Sequence, residues 1–354
     1  MKGLILSGGH GVRLRPITYS QQKQLIPVAN KPILFYAIED VIEAGIKDIG
    51  IIVGPNKDRV VEAVNNAYFD AEISFIEQEA PLGIAHAVKI SEDFIGDKPF
   101  VVYLGDNIIK GGIIRHVKRF EKGDMDASIL LTHYENPGLF GCAELNEDGS
   151  IKRLIEKPKK PPSDLVLVGI YMFRPPIFEA VKNIKPSWRD ELEITDAIQY
   201  LIDNNLKVNS EIVTGWWKDT GKPEDIIEAN QLVLDELEPY NRGVLEDKVI
   251  IKGRVSIGEN TVIKSGSVIK GPVIIGKSCK IGPNTYIGPY TSIGDNCEVI
   301  NGEIESSIIM DGTKINCNKK IVDSLIGKEV KISDRDQLPK GHRLVIGDSS
   351  QVEL

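Results

Sequence analysis

The residues Leu4-Ile5-Leu6-Ser7-Gly8-Gly9-His10-Gly11-Val12-Arg13-Leu14-Arg15-Pro16 set a short apolar run against a glycine-rich turn, and Lys23-Gln24-Leu25-Ile26-Pro27-Val28 follows seven residues later. A strand that empties into glycines lets backbone N–H groups approach phosphate oxygens with no Cβ in the way. Leu6, Gly8, Gly9 and Gly11 are therefore candidates to line a nucleotide, and Arg13 and Lys23 would add fixed positive charge beside its phosphates. Two common phosphate cradles do not fit. The Walker loop needs Lys-Ser/Thr after its last glycine, where Val12-Arg13 stands. The dinucleotide fingerprint needs a third glycine, which would fall on Leu14, and an acidic residue closing the second strand, which here ends in Gly54-Pro55.

Working outward, short apolar runs alternate with amphipathic segments as far as about residue 237, the pattern of an α/β domain on a mixed, mostly parallel sheet of Rossmann-like type. The apolar runs predict strands over 2–6, 48–53, 73–76 and 100–104, and later over 127–133, 142–145, 166–173 and 208–213. Helical spacing predicts helices over 32–43, 57–67, 83–94 and 224–237.

The pattern then changes to a period of six. Ile257, Ile263, Ile269, Ile275, Ile281, Ile287, Ile293 and Val299 recur at that interval, five of them followed by glycine, with Val255, Thr261, Ser267, Val273, Cys279, Thr285, Thr291 and Cys297 two places earlier. This is the hexapeptide signature of a left-handed parallel β-helix: three sides make one triangular coil, and each aliphatic residue points inward onto its equivalent about 4.8 Å away in the next coil. The rhythm weakens after Val299 and runs to about Ile332. The resulting division is a domain over 1–238, a β-helix over 239–335 and an irregular or capping tail over 336–354.

The composition excludes several classes. A net charge of −8 over 354 residues argues against a general nucleic-acid surface. No run of 18 apolar residues and no signal-peptide pattern is present, so the reading is cytoplasmic with no membrane association. Cys142, Cys279, Cys297 and Cys317 form no C-x-x-C pair, which leaves buried free thiols as the default.

Two carboxylates stand out. Asp106 follows the apolar strand 100–104 in Leu104-Gly105-Asp106-Asn107, at the strand edge where open α/β sheets hold ligands. Asp219 lies in Trp217-Lys218-Asp219-Thr220-Gly221, after the strand 208–213. Singly, one would read as a helix N-cap and the other as a turn residue; together they can converge on one Mg²⁺, which favours carboxylate and phosphate oxygens.

The ordered set G-G-x-G-x-R-L-x-P, K-Q-L-x-P, L-G-D-N and W-x-D-T-G resembles the sugar-nucleotidyltransferase family, in the long form that carries a C-terminal extension. One position departs: Val12 stands where the family usually has threonine. The resemblance implies the nucleotide-diphospho-sugar transferase fold and transfer of a nucleotide from dTTP, or alternatively UTP, to glucose 1-phosphate with Mg²⁺ on Asp106 and Asp219. It further implies that Arg13, Lys23, Asp106 and Asp219 are catalytic and that Gln78 and Gly83 read the pyrimidine. Gly141, Glu156, Lys157, Gly169 and Arg189 would take the sugar phosphate, with Asp190 where the family often has glycine after that arginine.

Related two-domain enzymes carry an acetyltransferase in the hexapeptide coil, usually with a histidine base. Positions 245 to 335 contain no histidine and His342 lies beyond the repeat, so a structural role for the coil, in subunit association or in regulation, is expected. A non-catalytic regulatory subunit would be expected to have lost Lys23 or an aspartate, and all three are present.

Overall fold

The structure is a computed structural model that describes residues 1–9, 11–55, 57–334, 350 and 352. Most of the expected tail, with His342, therefore lies outside the described residues, as does His10. The chain forms two compact units that interleave in sequence: residues 1–10 with 33–219, and residues 11–32 with 220–354.

Among the described residues the first unit is built on a nine-stranded mixed sheet. Lys2–Ser7 lies at its centre, parallel to Phe100–Leu104 on one side and to Asp48–Val53 on the other, with Glu72–Glu77 parallel beyond that. The three strands at the centre, buried on both faces, read as continuous apolar runs, which is why they were visible in the sequence. The sheet changes direction at Leu165–Phe173, which runs antiparallel to Phe100–Leu104 and, across its other edge, to Ala127–His133. Gly141–Leu145 and Ile151–Glu156 continue the sheet past that strand, and Val208–Ile212 adds in parallel to Ala127–His133. Antiparallel pairing therefore occupies one half of the sheet, apart from the parallel pair at Val208–Ile212. All nine residues of Leu165–Phe173 are buried.

Helix boundaries follow the expected segments within a residue or three, except that the helix expected over 83–94 is two helices, Ile84–Ile90 and Glu92–Ile95. Ser91 breaks them: its buried hydroxyl donates to the Val88 carbonyl, competing with the helical ladder. A separate two-stranded sheet, Asn107–Ile109 with Trp217–Asp219, had no counterpart in the sequence reading.

In the second unit, among the described residues, three parallel sheets of six, five and five short strands wind into the coil expected of a left-handed β-helix. Ile257, Ile275, Ile293, Ile309 and Ile326 stack in register on one side, and Ile263, Ile281, Val299, Ile315 and Ile332 on another. The spacing is eighteen residues as far as Ile293 and then shortens, with Ile293 on Ile309 and Ile309 on Ile326. The sequence period fades because turns lose a residue, while the aliphatic stack persists. Corner positions take left-handed backbone at Asn260, Ser278, Asn284, Asn296 and Asn301, where asparagine is favoured over branched residues.

Thr261, Cys279, Cys297 and Thr313 form a second ladder inside the coil. Each donates to a carbonyl in the following coil: Thr261 to Gly276, Cys279 to Gly294, Cys297 to Met310 and Thr313 to Gly327. The buried thiols thus take hydroxyl positions, and burial of polar groups is compensated. All four cysteines are free and buried.

Candidate active site

In the first unit the site begins where three parallel strands end together. Ser7 pairs with Val53 and Leu6 with Leu104, so Gly8-Gly9, Gly54 and Gly105-Asp106 leave the sheet side by side. A Cβ on Gly54 would stand 3.3 Å from the Gly8 carbonyl, and one on Gly105 2.9 Å from that of Leu6. The packing at Gly105 excludes a Cβ unless the backbone shifts, and that at Gly54 leaves little room for one. The Ser7 hydroxyl is buried here with no hydrogen-bond partner among the described residues.

Asp106 and Asp219 are brought together by the small sheet that sequence reading missed: Asp219 pairs with Asn107, the neighbour of Asp106. Asn107 is the bracket between them. Its Nδ2 donates to Asp106 Oδ1 at 2.8 Å, and its Oδ1 accepts the Trp217 indole N–H at 2.7 Å. Trp217 is held edge-on by Phe140 and Tyr134. Lys218, given no role from the sequence, is buried between Trp217 and Asp219; its place inside the W-x-D-T-G motif directly before the carboxylate was the available signal. Gly169 lies on the other flank, at a register shift in Leu165–Phe173 with φ +81°, where a Cβ would stand 2.8 Å from Leu104 and 3.4 Å from Asn107.

Gln78 follows the strand Glu72–Glu77 and is nearly buried. Its Nε2 lies 3.2 Å from the Gly83 carbonyl and 3.0 Å from Nδ1 of His86, while its Oε1 faces Gly8, 3.4 Å from where a Cβ would be. Gly83 has φ +100°, and a Cβ there would meet the Leu192 carbonyl at 2.4 Å. The loop is laced to Leu192 by two backbone bonds, Leu192 N–H to Leu82 and Ala85 N–H to Leu192.

Glu156 pairs with Gly141, whose missing Cβ would lie 3.1 Å from Glu156 Oε2. Thr195 donates to that oxygen at 3.3 Å, while Lys157 and Arg189 stand 3.7 and 3.6 Å from Oε1. Burial, then the Glu193 charge, raise the Glu156 pKa against the pull of these two cations. Arg189 is engaged by Glu191 and Glu193 as well as Glu156; Asp190 does not appear among its ion pairs.

Gly11, Arg13 and Lys23 belong to the second unit. Gly11 has φ +61°, and a Cβ would stand 2.9 Å from both Lys23 Cβ and Thr18 Cγ2. Arg13 and Val12 are exposed on a short 3-10 turn, whereas Lys23 is buried. Gln24, next to it, is buried with Oε1 lacking a partner among the described residues, a second residue without a role in the sequence reading. The turn that follows is anchored within its own unit: Ala29 N–H donates to buried Asn230 Oδ1 at 2.8 Å, and Asn30 Nδ2 to the Ile293 carbonyl at 2.7 Å.

Residues 2–236 match the family model for nucleotidyl transferase. The chain belongs to the nucleotidyl transferase family. Residues 269–353 of this nucleotidyl transferase match a second model, the GMPPB C-terminal domain. It is 49% identical to the low-salt glycan biosynthesis nucleotidyltransferase Agl11 of Haloferax volcanii, over all of both chains. It is also 49% identical to a glucose-1-phosphate thymidylyltransferase of Streptomyces antibioticus, over all of this chain and 99% of that one. A Bacillus anthracis protein described as a glucose-1-phosphate thymidylyltransferase, solved with sucrose, superposes with a TM-score of 0.62 at 34% identity, over 68% of this chain and 97% of that one.

Among the described residues no group of three or more His, Cys, Asp or Glu side chains is placed to hold a metal ion. A carboxylate on the strand Trp217–Asp219 and another in the turn just before its partner strand nevertheless suit Mg²⁺, which keeps several waters and takes substrate phosphate oxygens for the rest. Among the described residues no helix is long and apolar enough to cross a membrane.

Proposed function

We propose that this nucleotidyl transferase joins dTTP and glucose 1-phosphate to give dTDP-glucose and pyrophosphate. The observation that carries the reading is the pairing of Asp219 with Asn107, the neighbour of Asp106, beside Gly169. The full-length identity to a thymidylyltransferase supports the choice of substrates.

A phosphate oxygen of the sugar phosphate attacks the α-phosphorus, and pyrophosphate leaves opposite. That oxygen is already ionised near neutrality, so no side-chain base is required; alignment and charge neutralisation are. Mg²⁺, held by Asp106 and Asp219, would supply charge neutralisation at the phosphates. Lys157 binds the sugar phosphate and Glu156 accepts from sugar hydroxyls. Gly141 and Gly169 leave room for the ring, and Arg189 offers a second cation to the sugar phosphate. Lys23 neutralises the triphosphate and Arg13 the departing pyrophosphate. Leu6, Gly8, Gly9 and Gly11 line the nucleotide, and Gln78 and Gly83 meet the base.

Residues 1–238 form the catalytic domain in this proposal and 239–335 a β-helix that serves association between copies, a division supported by the separate family matches at 2–236 and 269–353. A cytoplasmic setting suits both the free thiols and the substrates.

The test is a matrix of dTTP, UTP and other triphosphates against sugar 1-phosphates, read by pyrophosphate release. Preference for dTTP with glucose 1-phosphate is expected; preference for another pair would replace the substrate assignment. Asp106→Asn should lower turnover by about 10²- to 10³-fold at saturating Mg²⁺ with the fold intact by circular dichroism. Undiminished turnover would remove Asp106 from the site.

A further inference from the structure

We propose that His86 fixes which end of the Gln78 amide faces the nucleobase, and that this lock selects thymine and uracil over cytosine. The inference rests on the reading above that Gln78 meets the base.

The chemistry of three atoms determines the orientation. A carbonyl oxygen only accepts, so the end of Gln78 that lies 3.2 Å from the Gly83 carbonyl must be the NH₂ group. Its second hydrogen points to His86 Nδ1 at 3.0 Å. Nδ1 must therefore carry a lone pair, which places the ring proton on Nε2. Burial, then the Lys89 ammonium, lower the His86 pKa, in keeping with a neutral ring.

Both donors of the amide are thereby used inside the loop. What remains is Oε1, an acceptor, facing Gly8 where no side chain intervenes. A glutamine held only by one partner could rotate by a half-turn and offer a donor; this one is held at two points. With the ring placed by its sugar and phosphates, Oε1 pairs with the N3–H of thymine or uracil. Cytosine in the same pose turns an N3 lone pair toward Oε1, an acceptor against an acceptor. His86 acts through Gln78 and is thus a positioning residue.

The test compares kcat/KM for dTTP and dCTP in the full-length enzyme. His86→Leu is expected to lower the dTTP-to-dCTP ratio by about tenfold or more, mainly through KM, with KM for glucose 1-phosphate unchanged. His86→Asn should restore the ratio, because Asn Oδ1 occupies the position of Nδ1 and can accept the same hydrogen. An unchanged ratio in His86→Leu, or a lowered ratio that His86→Asn fails to restore, overturns the lock. Gln78→Leu separates the two claims. If it raises KM for dTTP while His86→Leu leaves the ratio intact, only the lock fails; if it changes neither KM nor ratio, the base contact fails and the lock with it. Nitrogen NMR of the unmutated enzyme gives a readout that needs no variant: Nδ1 of His86 should appear unprotonated and Nε2 protonated, and the opposite tautomer overturns the proposal.

Discussion

Glu156 shows burial and charge competing on one side chain. Its side chain is 16% exposed, and burial raises its pKa although Lys157 and Arg189 both stand within 4 Å. Desolvation wins because the nearby carboxylate of Glu193 cancels part of the cationic field. The folded-state pKa lies above the unfolded one, so the ionised form costs stability at neutral pH, and that cost is relieved as pH falls through the folded pKa. Protonation thus begins above the ordinary 4.5. The KM for sugar phosphate should rise on the acid side at a higher pH than ordinary glutamates titrate, and Glu156→Gln should remove that rise; a pH profile of kcat/KM in both proteins checks it. Lys157→Ala should raise KM for the sugar phosphate with little effect on KM for the triphosphate. Gly83→Ala should impair triphosphate binding, since its Cβ would meet the Leu192 carbonyl at 2.4 Å with φ at +100°. At this scale motif residues such as Asp106 were legible because strand ends and glycines announce them. The His86 lock was not, because two residues eight apart meet only through the turn at Gly83.

Among elements, buried strands were the most legible, since both faces of a parallel sheet demand apolar residues. The pairing of Asn107–Ile109 with Trp217–Asp219 was not, because three-residue strands 110 positions apart leave no periodic trace. The fading of the hexapeptide period was legible as loss of repeat, yet the register shows shorter coils on the same aliphatic stack. Asn230 illustrates a polar device that pattern cannot reveal. It lies in the helix Pro223–Leu234, is fully buried, accepts from Ala29 N–H and the Ser292 hydroxyl, and donates to the Tyr290 carbonyl. Asn230→Ala would strand those three groups in the interior and should cost about 3 kcal/mol, seen as a lower unfolding midpoint in denaturant.

At the scale of the whole molecule, the seam near residue 238 read from composition does not coincide with the contact units, because residues 11–32 group with the C-terminal part of the chain. That segment carries no periodic hydrophobic pattern that would announce such a partner; its tie combines buried Val28, in a strand packed on the helix Pro223–Leu234, with hydrogen bonds from Ala29 and Asn30. The coil itself is quasi-one-dimensional, each turn packing on its neighbours, so a cavity in a middle turn should weaken the whole stack. Ile281→Ala, at a fully buried position, should cost about 2–5 kcal/mol, measurable by chemical denaturation.

The bond from Asn30 to the Ile293 carbonyl spans 263 positions of sequence. During synthesis at about 5–20 residues per second, Asn30 waits on the order of tens of seconds for its acceptor to be made. The stretch bearing Lys23 is among the first parts of the chain to emerge and among the last to be anchored. A ribosome-bound chain that stops short of Ile293 would carry Lys23, Asp106 and Asp219 and still lack one of the two acceptors that anchor this segment.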